Sequence, residues 1–181
     1  MSETLPIRHP VNVRTLPNKG RVETFEADAD ARRSIAAFLD VDDVEEFTAD
    51  AEVTRWRSDG VRVAGRLRAR LQQTCVVTLE PLSTDVDEAF EALFVPEDSP
   101  LASRDDGVVQ MMVDAEGEDP PETFAGDTLD LGAVWMEFLA LAVDPFPRKP
   151  GAAFEAETDE AEPSPFAALA VLKGKAANSN G

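Results

Sequence analysis

The sequence predicts an α+β fold, in which helices pack on an antiparallel β-sheet made of a hairpin over 52–71 and a strand over 84–95. One observation is an Asp-Gly pair at 59–60 between two runs of alternating apolar and charged residues, the pattern of a hairpin with a two-residue turn. Another is that the apolar residues of 30–40 and 130–143 recur at helical spacing. We expect both helices to pack on the sheet.

The boundaries of these helices are predicted from capping residues. Asp30 and Asp130 stand before the apolar runs as candidate N-caps, whose side chains accept hydrogen bonds from the first helical turn. Pro145 ends the second helix because proline lacks the backbone N–H that a helix needs. We further predict a strand at 20–27 and an additional helical turn in the acidic piece at 42–47.

The predicted hairpin concentrates positive charge on one side. A two-residue turn pairs Ser58 with Val61 and Trp56 with Val63, so that Trp56 joins the apolar face. The opposite face then carries six of the 17 Lys and Arg residues of the chain, namely Arg55, Arg57, Arg62, Arg66, Arg68 and Arg70.

The next strand offers carboxylates to these arginines. Asp85, Asp87 and Glu91 alternate with Val86 and Phe90, so an antiparallel pairing places the acids opposite the arginines. The arginine face is therefore either a salt-bridged sheet surface or a phosphate-contacting surface. The sequence favours the salt-bridged surface and leaves both interpretations open.

The net charge of −19 limits the choice of partners. Affinity for nucleic acid comes mainly from Lys and Arg that displace counterions at phosphates, so direct RNA binding requires a local basic patch. A strongly acidic protein is better suited to a basic protein partner through electrostatic steering and complementarity.

The common catalytic and metal sites have no counterpart in this sequence. It contains no Gly-rich phosphate loop, and its single histidine, His9, stands in the N-terminal segment, which argues against a histidine-based triad. Structural zinc uses four Cys or His ligands, whereas the chain has one of each. We expect no enzymatic activity, no cofactor and no metal.

The same sequence predicts a cytoplasmic protein without a membrane partner. No apolar run approaches the ~20 residues that span a bilayer. The first residues lack the apolar core of a secretory signal.

Two segments are predicted to lie outside the regular structure. Residues 96–126, rich in Pro, Gly and acids, are expected to form a flexible loop within a single domain over 1–152. Residues 153–181 are expected to form an acidic linker and a short amphipathic helix at 165–173. This helix either docks on its own domain or binds a partner, and the sequence leaves both possibilities open, together with the oligomeric state. Its apolar face holds Phe166, Leu169 and Leu172.

Three blocks of the sequence resemble a known family. They read RLRARLQQTCVVTLEPLSTDVDEAFEALFVPE, LDLGAVWMEFLALAVDPFPRKPGAAF and PSPFAALAVLK, in this order. They resemble the YceD family, whose members are called large ribosomal RNA subunit accumulation proteins. The run around Cys75 is similar to the form seen in alphaproteobacterial members.

The resemblance implies a non-enzymatic role in large-subunit ribosomal RNA accumulation, processing or ribosome assembly. The implied partner is ribosomal RNA or a basic ribosomal or assembly protein. The arginine face could contact RNA directly. Alternatively, the acidic surface could hold a basic ribosomal protein, with only an indirect effect on RNA.

The resemblance also bears on the only cysteine. Many members of the family carry Cys-x-x-Cys at this turn, with further cysteines after the core helix. Here the motif turn comprises Cys75, Thr78, Leu79, Glu80 and Pro81, and no cysteine follows the helix. The resemblance therefore implies that a metal site of that kind is dismantled in this chain. We expect Cys75 to be a half-buried apolar residue and Glu80 to form a turn or a salt bridge.

Overall fold

The computed structural model describes residues 5–102 and 120–152 and has the predicted α+β architecture. Three long strands form the centre of a sheet; one helix precedes them in the sequence and the other follows them. The elements are β1 (Pro10–Asn12), β2 (Arg21–Glu26), α1 (Ala29–Leu39), β3 (Asp43–Trp56), β4 (Gly60–Thr74), β5 (Pro81–Pro96), β6 (Glu122–Phe124), β7 (Thr128–Asp130) and α2 (Leu131–Ala142).

The main sheet has five strands in the order β2-β3-β4-β5-β6. Neighbours from β2 to β5 are antiparallel, and β6 pairs with the end of β5 in a parallel arrangement. A separate antiparallel pair joins β1 to β7. Because β4 lies between β3 and β5 along its whole length, its side chains have neighbours on both sides.

The core lies between one face of the main sheet, called the inner face here, and the two helices. Val53 and Val63 face each other across β3 and β4 and are fully buried. The wide apolar stripe predicted for the second helix is confirmed, since Trp135 is fully buried and Phe138 stacks on Phe90 with ring centroids 5.0 Å apart. Burial of these large side chains is the main stabilising contribution to the fold.

The two helix caps differ in how well the sequence predicts them. Asp130 caps α2 as predicted, since its Oδ1 accepts from the N–H of Gly132 at 3.0 Å. The prediction of Asp30 as the cap of α1 is wrong, because Asp28 accepts from the N–H of Ala31 at 2.8 Å. The N–H of Ala27 still donates to a carbonyl of β3, so the chain turns into the helix directly after strand pairing ends.

The helical turn predicted at 42–47 is wrong, because β3 begins at Asp43. Val44 and Phe47 are both buried although they stand three positions apart, which is a helical spacing. A register shift between Val44 and Glu46 inserts an extra residue and returns both apolar side chains to the inner face. The β-bulge therefore gives the buried residues of this strand a spacing of three, which is also expected for a helix.

The predicted two-residue turn of the β3–β4 hairpin is also wrong. Trp56 pairs with Gly60, and Arg57, in the left-handed region with φ of 53°, begins the three-residue loop between them. A Cβ at position 60 would lie 2.8 Å from the Trp56 ring, so a larger residue there would force the ring to shift. The observed register also keeps Val53 opposite Val63 in the core, which outweighs the turn preference of the Asp-Gly pair.

The segment predicted as a loop at 96–126 is partly regular. Pro96 ends β5, and β6 lies inside the predicted loop and pairs with β5. Residues 103–119 lie outside the described residues, as do residues 153–181 with Phe166, Leu169 and Leu172. The division into a domain over 1–152 and a tail stays a prediction. Neither described helix has the length and apolarity to cross a membrane.

Candidate functional site

The face of the main sheet opposite the core, called the outer face here, carries the predicted basic residues of β4. Successive side chains of a strand point to opposite faces, so alternate residues of β4 reach the outer face. These residues include four partly exposed arginines that form the arginine ladder, Arg62, Arg66, Arg68 and Arg70.

Carboxylates of β5 already occupy the first two members of the arginine ladder. Arg62 donates from Nε and from its terminal nitrogen to the two carboxylate oxygens of Glu91, both at 2.5 Å. Arg66 forms the same fork with Asp87, at 2.5 Å and 3.0 Å. Planar forks of this kind fix both partners and are stronger than single hydrogen bonds.

The remaining two members of the arginine ladder, Arg68 and Arg70, also contact carboxylates of β5. The Nε of Arg70 donates to Asp85 at 2.8 Å, and the Nε of Arg68 lies 3.3 Å from the Asp87 oxygen that Arg66 also contacts. The interpretation of this face as a salt-bridged sheet surface is therefore confirmed. A phosphate would have to displace a carboxylate to form the same fork with Arg62 or Arg66, whereas Arg68 and Arg70 use only their Nε in these contacts.

These contacts hold both partners in their charged forms. The hydrogen bond from Arg66 holds the pKa of Asp87 below its usual range, and the hydrogen bond from Arg62 does the same for Glu91. In return, the hydrogen bonds to the carboxylates raise the pKa of Arg62, Arg66 and Arg70. The ion pairs persist at neutral pH.

A second set of carboxylates flanks the arginine ladder on β3. Glu46 stands opposite Arg70, Asp50 stands opposite Arg66, and Glu52 lies one pair further toward the hairpin loop. We call Glu46, Asp50 and Glu52 the acidic strip. Among the described residues, no ion pair involves the acidic strip. The outer face therefore has more carboxylates than guanidinium groups and is negatively charged overall.

The structure separates the other two predicted arginines from the arginine ladder. Arg55 pairs with Val61, and its terminal nitrogen donates to the carbonyl oxygen of Leu16 at 2.9 Å, which ties the N-terminal segment to the hairpin. Arg57 lies in the hairpin loop with its guanidinium carbon 4.3 Å from the centroid of the Trp56 ring. The prediction that six arginines share one face is wrong because it followed from the two-residue turn.

His9 has a structural position rather than a place in a catalytic triad. Its Nε2 lies 3.0 Å from a carboxylate oxygen of Glu23, and its ring centroid lies 5.1 Å from that of Trp135. These contacts attach the N-terminal segment to β2 and α2.

The motif turn predicted around Cys75 joins β4 to β5. The N–H of Cys75 donates to the carbonyl of Glu80, the N–H of Leu79 donates back to the carbonyl of Cys75, and Leu79 adopts a φ of 58°. Pro81 is the first residue of β5. The expectation that Cys75 is half-buried is corrected, because its side chain is completely buried.

Polar contacts surround the sulfur and hold two distant segments together. The Sγ of Cys75 accepts from the N–H of Thr78 at 3.5 Å and from the N–H of Lys149 at 3.4 Å. Lys149 also donates from Nζ to Glu80 at 2.9 Å, so the salt bridge expected for Glu80 is confirmed. The Thr78 side chain, the N–H of Lys149 and other backbone donors lower the pKa of the thiol to about 6, although burial opposes this shift.

The described residues around Cys75 form no metal-binding group of side chains. Within residues 5–102 and 120–152, no group of three or more His, Cys, Asp and Glu side chains is arranged to hold a metal ion. The positions around the sulfur are taken by Thr78 and by the backbone of Lys149, neither of which is a zinc ligand of the usual kind.

The acidic strip is the part of the outer face that our sequence reasoning missed. A usable signal was present, because Thr48, Asp50 and Glu52 alternate with Ala49 and Ala51 at the period of a strand. The wrong helical prediction at 42–47 obscured the start of that strand.

Comparison with known proteins gives one family. A family model described as "Large ribosomal RNA subunit accumulation protein YceD" matches residues 63–173. The matched span begins inside β4 and includes β5, the turn around Cys75 and α2. Searches of curated proteins and of solved structures found no match.

Proposed function

Because the chain belongs to the YceD family, whose model covers more than half of it, we propose that it acts in the accumulation of large-subunit ribosomal RNA. We propose further that the action is non-enzymatic. The protein binds a basic ribosomal or assembly protein on its acidic outer face, and the effect on RNA follows from that binding.

The observation that carries this proposal is the state of the charges on the outer face. All four arginines of the ladder contact carboxylates of β5, whereas the acidic strip on β3 is free of ion pairs among the described residues. Glu52, Asp50 and Glu46 help to raise the pKa of Arg62, Arg66 and Arg70 through their charge, but carboxylates outnumber the four guanidinium groups, so the net charge offered to a partner is negative.

Direct RNA binding at this face is disfavoured by simple electrostatics. A phosphate that reached Arg66 would compete with the fork to Asp87 and would lie beside the released carboxylate. The acidic strip on the other side of the arginine ladder adds further repulsion. A Lys- and Arg-rich protein surface meets attraction at the same positions, which raises its association rate.

The experiment is capture of the tagged full-length protein from lysate, with and without ribonuclease, and identification of the bound RNA and protein. We expect basic ribosomal or assembly proteins to remain bound after ribonuclease treatment. We also expect the triple variant Glu46→Gln, Asp50→Asn, Glu52→Gln to lose them.

A matched control removes the same charge elsewhere. The variant Glu97→Gln, Asp98→Asn, Glu137→Gln changes three exposed acids outside the outer face, and it should retain the bound proteins. Capture of large-subunit RNA that persists after basic proteins are stripped, with no protein retained after ribonuclease, would instead support direct RNA contact.

A further inference from the structure

A groove of about 340 Å³ lies where the C-terminal end of β4 meets the segment that follows α2. It is separate from the outer face. Its walls come from three places in the chain, the end of α1, the end of β4 and the segment after α2. Apolar side chains form much of the lining, namely Leu39, Val41, Val76, Val143, Pro145 and Pro147.

The groove also has an acidic rim. Asp40, Asp42 and Asp144 line it, and no basic residue does so among the residues that the structure describes. Asp42 accepts from the hydroxyl of Thr74 at 2.9 Å, which fixes one carboxylate beside the groove. An occupant that fits this lining has apolar side chains followed or flanked by positive charge.

Large apolar side chains at this end are exposed to solvent. The exposed fraction is 43% for Val76, which lines the groove, and 67% for Phe146, which stands between two lining prolines. The N–H of Val76 donates to the carbonyl of Pro147, so the two walls are held together and the apolar surface is continuous across them. Such surfaces commonly mark binding sites.

The chain itself contains a segment with the required chemistry. Residues 165–175 read PFAALAVLKGK, in which Phe166, Leu169 and Leu172 recur at helical spacing. Lys173 and Lys175 follow them and are the only basic residues after Lys149.

The segment is attached close to the groove. The N–H of Ala152 donates to the carbonyl of Lys149, whose own N–H contacts Cys75 beside the wall that Val76 forms. The twelve residues at 153–164 can extend over ~40 Å, at ~3.3–3.6 Å per residue, which is ample for a return to the groove. The family match spans residues 63–173, which include two of the three walls, at 73–76 and 143–147, and most of the segment.

We propose that residues 165–175 of the same chain bind in this groove. Phe166, Leu169 and Leu172 cover the apolar lining, and the two lysines face the acidic rim. The carboxylates of the linker carry the same charge as the rim, so the linker stays outside the groove. This assignment does not depend on the function proposed for the outer face.

Hydrogen–deuterium exchange on the full-length protein tests this assignment. We expect the backbone amides of 166–173 to exchange about tenfold or more slowly than the same sequence in a free peptide. Leu169→Asp should abolish this protection because it places a charge on the apolar face. Val76→Asp, which places a charge in the lining of the groove, should also abolish this protection.

Two matched controls introduce the same charge outside the contact. Ala167→Asp changes the opposite side of the predicted helix, and Leu79→Asp changes an exposed residue of the neighbouring turn that does not line the groove. Both should leave the segment protected. If Val76→Asp prevents folding, faster exchange of the amides at 40–42 and at 143, 144 and 146 in Leu169→Asp provides the same test.

Three results would overturn the assignment. In the first, the amides of 166–173 exchange at the free-peptide rate in the unmodified protein. In the second, the segment is protected but Val76→Asp folds and leaves that protection unchanged, so that the segment binds elsewhere. In the third, protection falls on dilution, which means that the occupant comes from a second copy.

Discussion

The backbone N–H of Lys149 donates a hydrogen bond to the Sγ of Cys75 at 3.4 Å and so joins the turn between β4 and β5 to the segment after α2. The salt bridge between Lys149 and Glu80 reinforces the same junction. Many members of the family that this chain resembles carry additional cysteines in these two segments, whereas this chain has only Cys75. In this chain the junction is made by hydrogen bonds and one ion pair.

This junction predicts an acidic thiol. The pKa of Cys75 is lowered from 9.0 to about 6, so the thiolate is the main form at neutral pH. Far-ultraviolet absorbance of the thiolate, followed during a pH titration, should show this transition. Thr78→Val removes the hydroxyl that contributes most and should raise the pKa. A transition near 9.0 in the unmodified protein would contradict the account.

The lowered thiol pKa also has a consequence for stability. The folded pKa lies below the unfolded value, so its stabilising contribution is fully present above the unfolded pKa. This contribution is lost as the pH falls through about 6. Between pH 6 and pH 9, the free energy of unfolding of the unmodified protein, measured with denaturant, should exceed that of Cys75→Ser by an amount that grows with pH. A constant difference would show that the sulfur does not ionise.

Release of arginines from their carboxylates should strengthen the binding of RNA to the outer face. Asp87 contacts both Arg66 and Arg68, so Asp87→Asn frees guanidinium groups on the outer face. Binding to a single-stranded RNA should strengthen, and the slope of log affinity against log salt should steepen by about 0.7 per freed arginine. Glu88→Gln removes the same charge without breaking an ion pair among the described residues and serves as the control. Equal effects of the two substitutions would contradict the importance of the pairing.

The charged form of Glu122 is predicted to destabilise the folded protein slightly at neutral pH. Burial, with a smaller effect of Glu137, raises the pKa of its carboxyl group. Stability linked to this group is present below the unfolded pKa and is lost as the pH rises through the folded pKa. Glu122→Gln should therefore stabilise the protein at neutral pH, by well under about 1 kcal/mol because solvent screens the site. The gain should vanish in acid, and a gain that persists there would point to another cause.

Gly132 in the first turn of α2 tests the packing of the N-terminal segment. A Cβ at this position would lie 2.6 Å from the carbonyl oxygen of Ile7. Gly132→Ala should destabilise the protein by ~1–3 kcal/mol, although helix propensity alone favours alanine. Ala140→Gly, on the exposed side of the same helix, should cost up to about 1 kcal/mol and calibrates the propensity effect. Stabilisation by Gly132→Ala in chemical denaturation would refute the close contact.

The sequence predicted the elements better than their exact registers. The alternation of apolar and charged residues located β4 and β5, and the spacing of Leu131, Val134 and Trp135 located α2, because both patterns follow from one buried face. Asp130 was identified as a cap because its role depends only on local geometry. Asp28 was missed because Asp30 has the same local chemistry, and pairing of Ala27 with β3 decides between them.

The features of the candidate site that were missed depend on contacts between distant residues. The position of Arg55 follows from the hairpin register, which the opposition of Val53 and Val63 in the core sets. The contact of Cys75 with Lys149 joins residues 74 positions apart and has no local signal. The groove likewise needs three segments to meet, and no periodicity along the chain reveals it.

The most direct test of the central claim compares two variants in cells that lack their own copy of the protein, with the ratio of large- to small-subunit ribosomal RNA as the readout. One variant removes the acidic strip through Glu46→Gln, Asp50→Asn and Glu52→Gln. The other keeps the net charge and removes two ion pairs of the arginine ladder that share no partner with another arginine, through Arg62→Gln with Glu91→Gln and Arg70→Gln with Asp85→Asn.

We predict that the acidic-strip variant fails to restore the ratio, whereas the ladder variant restores it as fully as the unmodified protein does. The reverse result, with loss of function only when the arginines are removed, would show that the arginine ladder contacts RNA and that our account of the outer face is wrong.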